Sequence, residues 1–444
     1  MLTLPPAIKV ISTNILSVVI VLTCALYFTP TCTAATAAKS PSDYEHLDLF
    51  SDALYLIQSN YVEKVDMKTL VQGAMKGMLS QLDPHSEYLT AEMFAELEIE
   101  TKGQFSGLGI EITVKDHLIT IIAPIADTPA DRAGIQAGDK IIKIDGRFIK
   151  DMTTMDAVKM MRGEKGTQIT IGIMRGNQST PLEFTLTREI IAIESVKHHY
   201  YGAGIGYIRL SQFQQKSDYE LRQALQLLNT RSGGSLSGLV LDMRNNPGGL
   251  LDQAIKVADV FLDSGEIVST RGRNEQENAS YRATNIAGKE QRHYPIVILI
   301  NGGSASAAEI VAGALQDQKR AIVMGTQSFG KGSVQSLIEL SDKSGLRLTT
   351  ARYFTPNGTS IQARGITPDI HVEQAVWNDS QKVQIREQDL DNHFETPDND
   401  SATVTESADP LHTQQSDYQL LRALDLLRGW QHLNELTVVT QPQR

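Results

Sequence analysis

A strand, a turn of two glycines, a helix and a second strand follow one another between residues 296 and 324, and this order restricts the fold more than any other feature of the chain. The apolar run 296–300 is typical of a buried strand. Gly302 and Gly303 allow a sharp turn. A helical spacing of apolar residues then begins just after Ser306. The pattern predicts an α/β unit.

A serine at the start of this helix stands in a favourable place for chemistry. Backbone N–H groups and the positive end of the helix dipole lie nearby, and both suit a developing oxyanion. Ahead of it lies Lys331, between Gly330 and Gly332 and after another apolar strand. Since no histidine is close in the sequence, the pattern predicts a serine nucleophile with a lysine base. Ser304 and Ser306 both remain candidates for the nucleophile.

Lys331 can act as a base only when its amine is neutral. Burial lowers the pKa of a lysine because it disfavours the charged form. Phe329 and the flanking glycines are compatible with such burial. Gln335 lies four residues further on, and its neutral amide is suited to orient the amine without raising the pKa.

A second glycine loop is expected to supply donors for the oxyanion. The apolar strand 239–244 ends in the sequence NNPGG at 245–249. The backbone N–H of Gly248 or Gly249 is expected to face the same point as the N–H of Ala307. Taken alone, this loop is more typical of an ordinary turn from a strand to a helix.

Between residues 103 and 187 the pattern changes to short strands. A glycine-rich turn runs into a strand at 107–112, and AGIQAGDKIIKIDG follows at 133–146. This order resembles a PDZ domain over the whole segment. The resemblance implies that a protein C-terminus is captured as an added strand, with its carboxylate on backbone N–H groups. The residues of that carboxylate loop are Gly107, Leu108, Gly109 and Ile110.

Arg162 follows the last helical pattern of this segment and has two interpretations. It contacts a bound chain or another domain, or it is a solvated surface arginine.

After residue 194 the chain alternates strands and helices, which predicts an α/β core with a strand-rich closing segment at 334–372. Apolar residues recur at helical spacing over 43–100 and over 420–430. Eight acidic residues without lysine or arginine at 387–409 predict a linker. The C-terminal helix either docks on its own core or pairs with another subunit, and both alternatives stay open.

The N-terminus has the pattern of an export signal. Lys9 precedes the apolar run 15–28, and ATA at 35–37 fits a small-x-small cleavage site. The pattern predicts a periplasmic protein; if the segment is not cleaved, it anchors the protein to the inner membrane. Cys24 and Cys32 both precede the cleavage site, so the mature chain would suit an oxidising compartment. The net charge of −11 argues against a nucleic-acid partner.

Six motifs, taken in order, resemble the carboxyl-terminal processing peptidases, also called tail-specific proteases. They are LDPHSEYL at 82–89, FSGLGIEI at 105–112, LDMRNNPGG at 241–249, NGGSASAAEI at 301–310, GKGSVQ at 330–335 and YFTPNGTSIQ at 353–362. The resemblance covers nearly the whole mature chain and is strongest to the Gram-negative envelope type. It implies a multidomain α+β or α/β fold, in which a crotonase-like α/β peptidase core carries an inserted PDZ domain and helical N- and C-terminal segments.

The resemblance and the patterns together divide the chain into six segments. They are a signal peptide or N-terminal anchor at 1–38, a helical segment at 39–102, the PDZ domain at 103–190, the serine peptidase core at 191–375, an acidic flexible linker at 376–410 and a C-terminal helical segment at 411–444.

The family pattern implies that Ser306 is the nucleophile, Lys331 its base and Gln335 a third catalytic residue, which leaves Ser304 as a turn residue. It implies an oxyanion hole made by Gly249, less surely Gly248, and Ala307. The chain departs from the family pattern at Ala308, where family members often have serine, although a hydroxyl there is not part of the dyad. For Glu309 and Asp317, helix capping or a salt bridge is a simpler interpretation than catalysis.

The resemblance therefore implies a serine endopeptidase that binds the C-terminal tails of exported proteins and cleaves through an acyl-enzyme. It implies no metal and no other cofactor. Its implied partners are protein substrates with exposed tails, an adaptor lipoprotein, and further copies of the chain joined through the terminal helices. Two alternatives are a PDZ scaffold that no longer cuts and, less well supported, a crotonase-like acyl-transfer enzyme or hydrolase.

Overall fold

The structure, a computed structural model, describes residues 43–115, 118–149, 152, 154–176, 178, 180–284, 294–375 and 417–439. The predicted export signal at 1–38 and acidic linker at 376–410 lie outside these ranges. The chain divides into two compact units, one ending at Met75 and the other beginning at Lys76. No helix in the described ranges is long and apolar enough to cross a membrane.

The described chain opens with two helices, α1 (Asp43–Asn60) and α2 (Met67–Ser80), as the helical spacing predicts. The large apolar residues Leu47, Phe50 and Ile57 of α1 are exposed. A short strand that the sequence did not indicate, β1 (Glu87–Leu89), precedes α3 (Ala91–Lys102).

The segment predicted as a PDZ domain forms its own β-rich body. Its elements are β2 (Gln104–Gly107), β3 (Ile110–Lys115), β4 (Leu118–Pro124), α4 (Pro129–Arg132), β5 (Lys140–Ile144), β6 (Arg147–Phe148), α5 (Thr154–Met161), β7 (Gln168–Met174), β8 (Leu182–Thr187) and β9 (Glu189–Ala192). The main sheet has the order β3-β4-β5-β7-β8, while β6 pairs with β5 and β2 with β9. Inward residues such as Ile121, Ile141 and Ile171 fill its core. Because β3 is at the edge of this sheet, one side of it is open to an added strand.

The segment predicted as an α/β core forms a second sheet within the same unit. Its sheet contains, in spatial order, β10 (Val196–Tyr200), β11 (Ile205–Leu210), β12 (Gly238–Asp242), β15 (Ile296–Ile300), β16 (Ile322–Gly325) and β19 (Ile370–His371). All neighbours are parallel except β10 and β11. The helices between the parallel strands are α6 (Ser217–Arg231), α7 (Leu251–Phe261) and α8 (Ala307–Asp317). The carboxyl ends of these strands are where such sheets carry functional loops.

Both faces of this sheet are covered, which explains why its central strands are buried at every position and are apolar except for Asp242 at the end of β12. Leu241 and Ile298 point into the core that α6, α7 and α8 share. Their neighbours Val240 and Val297 point to the opposite face, which packs against α9 (Tyr418–Val439). The C-terminal helix thus docks on its own core, which is one of the two alternatives that the sequence left open.

Ion pairs and a hydrogen bond of Arg244 hold the start of α9 beside the end of β12. Arg244 forms ion pairs with Asp242 at 2.6 Å and with Asp417 at 2.7 Å. Its Nη1 also donates to Gln419. Because Arg244 and Asp242 are buried, this pairing offsets the cost of removing their charges from water.

A further, antiparallel sheet contributes to the site. Its strands are β13 (Glu266–Gly272), β14 (Ala279–Arg282), β17 (Ser333–Glu339) and β18 (Gly345–Phe354), joined by β1. β18 lies at its centre and pairs with β1, β13 and β17. The motif at 82–89 is thereby brought beside β18, which also pairs with the strand after Lys331, although the motif and the lysine are far apart in the chain.

Candidate active site

Ser306 stands at the turn between β15 and α8 in an unusual backbone conformation. Its φ is 57° and its ψ is −115°, a region that residues with a side chain rarely adopt. Its N–H donates to Glu309 Oε2 at 2.7 Å, which holds the turn in place. The side chain is almost buried, with 9% of the residue exposed. Sharp, strained turns of this kind direct a nucleophile out of the backbone towards a cleft.

Glu309 joins the Ser306 turn to the loop that carries Lys331. Its Oε2 accepts hydrogen bonds from the N–H of both Ser306 and Lys331, at 2.7 and 2.9 Å. Its Oε1 accepts from Ser328 Oγ and Gly330 N, each at 2.6 Å. The carboxylate is fully buried. The helix-capping interpretation of Glu309 is therefore confirmed, and its wider role in holding the lysine loop is one that the sequence did not indicate.

Lys331 is half-buried beside this carboxylate. Burial, followed by the positive charge of Arg347, lowers its pKa, while Asp83 and Glu309 act in the opposite direction. A lysine with a lowered pKa spends more time as the neutral amine that a general base must be. Lys331 is thus partly buried, as expected, but Phe329 is 63% exposed, so the expectation that this side chain helps to bury the lysine is wrong.

The motif at 82–89 surrounds this lysine, which spacing in the sequence could not reveal. Burial and the charge of Lys331 lower the pKa of His85. Burial by itself would raise the pKa of Asp83, but hydrogen bonds from Ser86, His85 and Thr349 hold it below its ordinary value. A histidine therefore does lie near the lysine in space, although none is close to it in the chain.

Tyr353 forms a side-chain hydrogen bond with Ser306. Its hydroxyl lies 2.8 Å from Ser306 Oγ. Its N–H donates to the carbonyl of Gly332, the residue after Lys331, at 2.9 Å. The tyrosine opens the motif at 353–362, but nothing in the spacing of the motifs signals this contact.

The NNPGG loop lies against Ser306. A Cβ added to Gly248 would come within 2.7 Å of Ser306 Cβ, so only glycine fits there. The N–H of Gly248 donates to Asn246 Oδ1. Across the described ranges no hydrogen bond uses the N–H of Gly249 or that of Ala307. The two donors named for the oxyanion hole are therefore free, whereas the alternative at Gly248 is occupied.

The other candidates have identifiable partners. Ser304 Oγ donates to the carbonyl of Met243, so this buried serine joins two strand ends, as expected of a turn residue. Asp317 accepts from the N–H of Asn357. Gln335 donates to Ser333 Oγ and Thr349 Oγ1, at 2.9 and 3.2 Å, and not to Lys331. The catalytic role of Gln335 stays a prediction.

The predicted carboxylate loop lines a groove of about 110 Å³. Gly107, Leu108, Gly109 and Ile110 form one wall, and Met161 with Arg162 of the α5 end forms another. No hydrogen bond among the described residues uses the N–H of Leu108 or Gly109. Free backbone donors beside the open edge of β3 are what a C-terminal carboxylate requires.

Arg162 is not a solvated surface residue. It forms an ion pair with Glu96 of α3, and its guanidinium lies 5.1 Å from the centre of the Phe105 ring. It therefore contacts a neighbouring segment while lining the groove, in agreement with the first of its two interpretations.

Three descriptions of known protein families match parts of this chain. The description "Peptidase family S41" matches residues 204–372, "PDZ domain" matches 106–186, and "Activating protease CtpB N-terminal domain" matches 29–93. A carboxy-terminal-processing protease of Bartonella bacilliformis is 46% identical over 89% of this chain and 91% of its own length. The chain belongs to peptidase family S41.

Two further proteins are similar to this chain. A Staphylococcus aureus protein named "Probable CtpA-like serine protease" is 37% identical over 75% of this chain, which spans 66% of that relative. The solved photosystem II D1 C-terminal processing protease is 31% identical over 73% of this chain and 92% of its own, with a TM-score of 0.42. The chain is thus a serine-type peptidase of the carboxy-terminal-processing group with a PDZ domain.

Proposed function

We propose that this S41 peptidase is an endopeptidase with a Ser306–Lys331 dyad that cleaves proteins presented by their C-terminal tails. The single observation that carries the dyad is the shared hydrogen bonding of Glu309, whose Oε2 accepts from the backbone N–H of both residues. The lowered pKa of Lys331 supports its role as the base.

In the proposed reaction, neutral Lys331 Nζ takes the proton of Ser306 Oγ while Oγ bonds to a peptide carbonyl carbon. The carbonyl oxygen becomes an oxyanion, held by the free N–H groups of Gly249 and Ala307. Collapse breaks the C–N bond, and Lys331 returns the proton to the leaving amine. Water then hydrolyses the acyl-enzyme with Lys331 again as base.

We assign substrate choice to the PDZ groove. An extended apolar tail is proposed to pair with the edge of β3 and to place its carboxylate on the N–H groups of Leu108 and Gly109. The export pattern at 15–28 supports the further proposal that these substrates are exported proteins.

Cleavage of an unfolded reporter protein with an apolar C-terminal tail tests the dyad. We expect Ser306→Ala and Lys331→Ala each to reduce cleavage on the order of 10⁴-fold. Lys256→Ala is the control, because this exposed lysine pairs only with Asp252, and it should cleave like the wild type. Substantial cleavage by either dyad variant would disprove the assignment.

A separate measurement tests the groove. Calorimetry with a tail peptide and its C-terminally amidated form should give about tenfold weaker binding for the amide, because a charge-assisted hydrogen bond is lost. Equal affinities would contradict the carboxylate loop. Tail binding without cleavage by any form of the protein would instead favour the alternative function, a PDZ scaffold.

A further inference from the structure

Tyr353 is the residue near the nucleophile that the proposed reaction leaves without a role. Its hydroxyl forms one hydrogen bond within the described part of the chain, to Ser306 Oγ at 2.8 Å. Either oxygen can be the donor in such a pair, so the direction of the bond decides what the tyrosine does.

The backbone of Tyr353 is fixed on both sides, and its side chain is buried. Tyr353 is 3% exposed and lies on β18, paired with Thr270 of β13 on one side. On the other side its N–H bonds to the carbonyl of Gly332. A side chain fixed by two neighbouring segments loses little further freedom when it orients a second group.

The direction of the bond follows from which acceptor takes the serine proton, because the tyrosine hydroxyl must donate to Ser306 Oγ when the serine proton is directed at Lys331. Burial raises the pKa of Tyr353 to about 12, with a smaller contribution from Glu309 and against the opposing effect of the hydrogen bond with Ser306. The phenol therefore keeps its proton at any pH at which the protein would work, and it is a poor base. Lys331, with its lowered pKa, is the better acceptor for the serine proton.

We propose that Tyr353 is a positioning residue for the nucleophile: its hydroxyl donates a hydrogen bond to Ser306 Oγ, orients that oxygen and stabilises the negative charge that develops on it. This inference rests on the proposed dyad. The Ser306 O–H bond breaks as the Lys331 N–H bond forms, and the tyrosine O–H stays intact throughout. The tyrosine thus adds a donor on the nucleophile, distinct from the two donors on the substrate oxyanion.

Labelling of Ser306 by a small fluorophosphonate measures the reactivity of the serine without any need for tail binding. We expect Tyr353→Phe to slow labelling by about 10- to 100-fold, the effect of one hydrogen bond to a charged group. The pH at which labelling begins should not move, because Lys331 sets it. With the reporter protein, kcat should fall and KM should stay the same.

The matched control is Tyr207→Phe, which removes the hydroxyl of a partly buried tyrosine that bonds to Asp242 instead. It should label at the wild-type rate even if its thermal stability falls. Should Tyr353→Phe fail to fold, 3,5-difluorotyrosine at position 353 keeps the hydroxyl but ionises at lower pH. That protein should label normally at neutral pH and lose reactivity in alkali earlier than the wild type does.

Several outcomes would overturn the inference. If Tyr353→Phe were labelled at the wild-type rate, the hydroxyl would be dispensable. If it were labelled faster, the hydroxyl would lower the reactivity of Ser306 and not raise it. The inference would also be wrong if the protein with 3,5-difluorotyrosine lost its labelling reactivity at the same alkaline pH as the wild type. In each case, loss of cleavage in Ser306→Ala would mean that the proposed dyad still stands and only the role of Tyr353 is wrong. Cleavage that survives Ser306→Ala would instead disprove both the dyad and the role of Tyr353.

Discussion

At the scale of single residues, the site depends on one buried carboxylate and one half-buried amine. Glu309 receives hydrogen bonds from all four groups of the lysine loop and serine turn described above. An acceptor that satisfies several N–H donors in a buried place cannot be replaced by a group with donors of its own without cost. Lys331 has the opposite character, since its surroundings favour the uncharged form.

The substitution Glu309→Gln tests the carboxylate. The amide can offer one oxygen, so its NH₂ group must face either the Ser306 and Lys331 N–H groups or the Ser328 and Gly330 donors. We expect a loss of about 3 kcal/mol in the free energy of unfolding, measured by denaturant titration, together with slow fluorophosphonate labelling.

The control for that variant is Glu339→Gln, since Glu339 is half-exposed and pairs with the exposed Lys343. It should change stability by less than about 0.5 kcal/mol. Equal stability of both variants would contradict the role assigned to Glu309.

The pH dependence of cleavage tests the lysine. Activity should rise with pH as Lys331 loses its proton, at a pH below the ordinary value for lysine because burial and Arg347 lower its pKa. Arg347→Gln removes a positive charge that disfavours protonated Lys331, so the rise should move to higher pH. Arg352→Gln, an exposed site on the same strand, should leave the profile in place. A shift to lower pH in Arg347→Gln would refute the electrostatic argument.

At the scale of elements, the turns after the parallel strands determine the direction of the backbone N–H groups that are proposed as oxyanion donors. Gly249 has a φ of 139°, and an added Cβ would come within 2.2 Å of the Phe213 carbonyl oxygen. Hydrogen bonds donated by the N–H of Leu250 and by the N–H of Phe213 join the glycine loop to the segment that contains Phe213. This close backbone approach is what leaves the N–H of Gly249 free.

Gly249→Ala should therefore displace the loop. We expect kcat to fall by about 100-fold or more, the usual effect of losing one oxyanion donor. Gly233→Ala is matched for a positive φ, 84°, but has open space where its Cβ would be. It should cost about 1 kcal/mol of stability and no activity. Full activity in Gly249→Ala, measured by cleavage of the reporter, would remove Gly249 from the oxyanion hole.

At the scale of the whole molecule, the C-terminal helix completes the core of the second unit. Leu420, Ala423, Leu424 and Leu427 are buried against the face of the sheet opposite to α8. Arg244, which follows β12 and precedes the NNPGG loop, pairs with Asp417 at the start of this helix. Docking of α9 is thus linked through the chain to the loop that carries the oxyanion donors.

Leu424→Ala tests this docking. Removing a side chain that is 1% exposed should lower the free energy of unfolding by about 3 kcal/mol. The control Leu433→Ala, at a position that is 61% exposed on the same helix, should change it by less than about 0.5 kcal/mol. Denaturant titration distinguishes the two, and similar values for both would mean that α9 does not stabilise the core.

Much of this architecture could be predicted from local patterns. Apolar runs and helical spacing indicate elements such as β12, β15 and α8, because side-chain direction follows from the backbone period alone. Small elements with few residues, such as β1 and β9, left no such signal. The family motifs named Ser306 and Lys331 as a pair, which stays a prediction, whereas the family that these motifs indicated is confirmed.

The sequence by itself determined the order of elements, the presence of a PDZ domain in an S41 peptidase, and the residue types that the chemistry needs. Only the tertiary structure decided which distant segments meet: Tyr353 with Ser306, 47 residues away, the motif at 82–89 with Lys331, and α9 with the back of the sheet. It also distinguished the free N–H of Gly249 from the occupied N–H of Gly248. The reason is physical: a local pattern records which way each side chain points, whereas contacts across the fold depend on how whole sheets and helices pack.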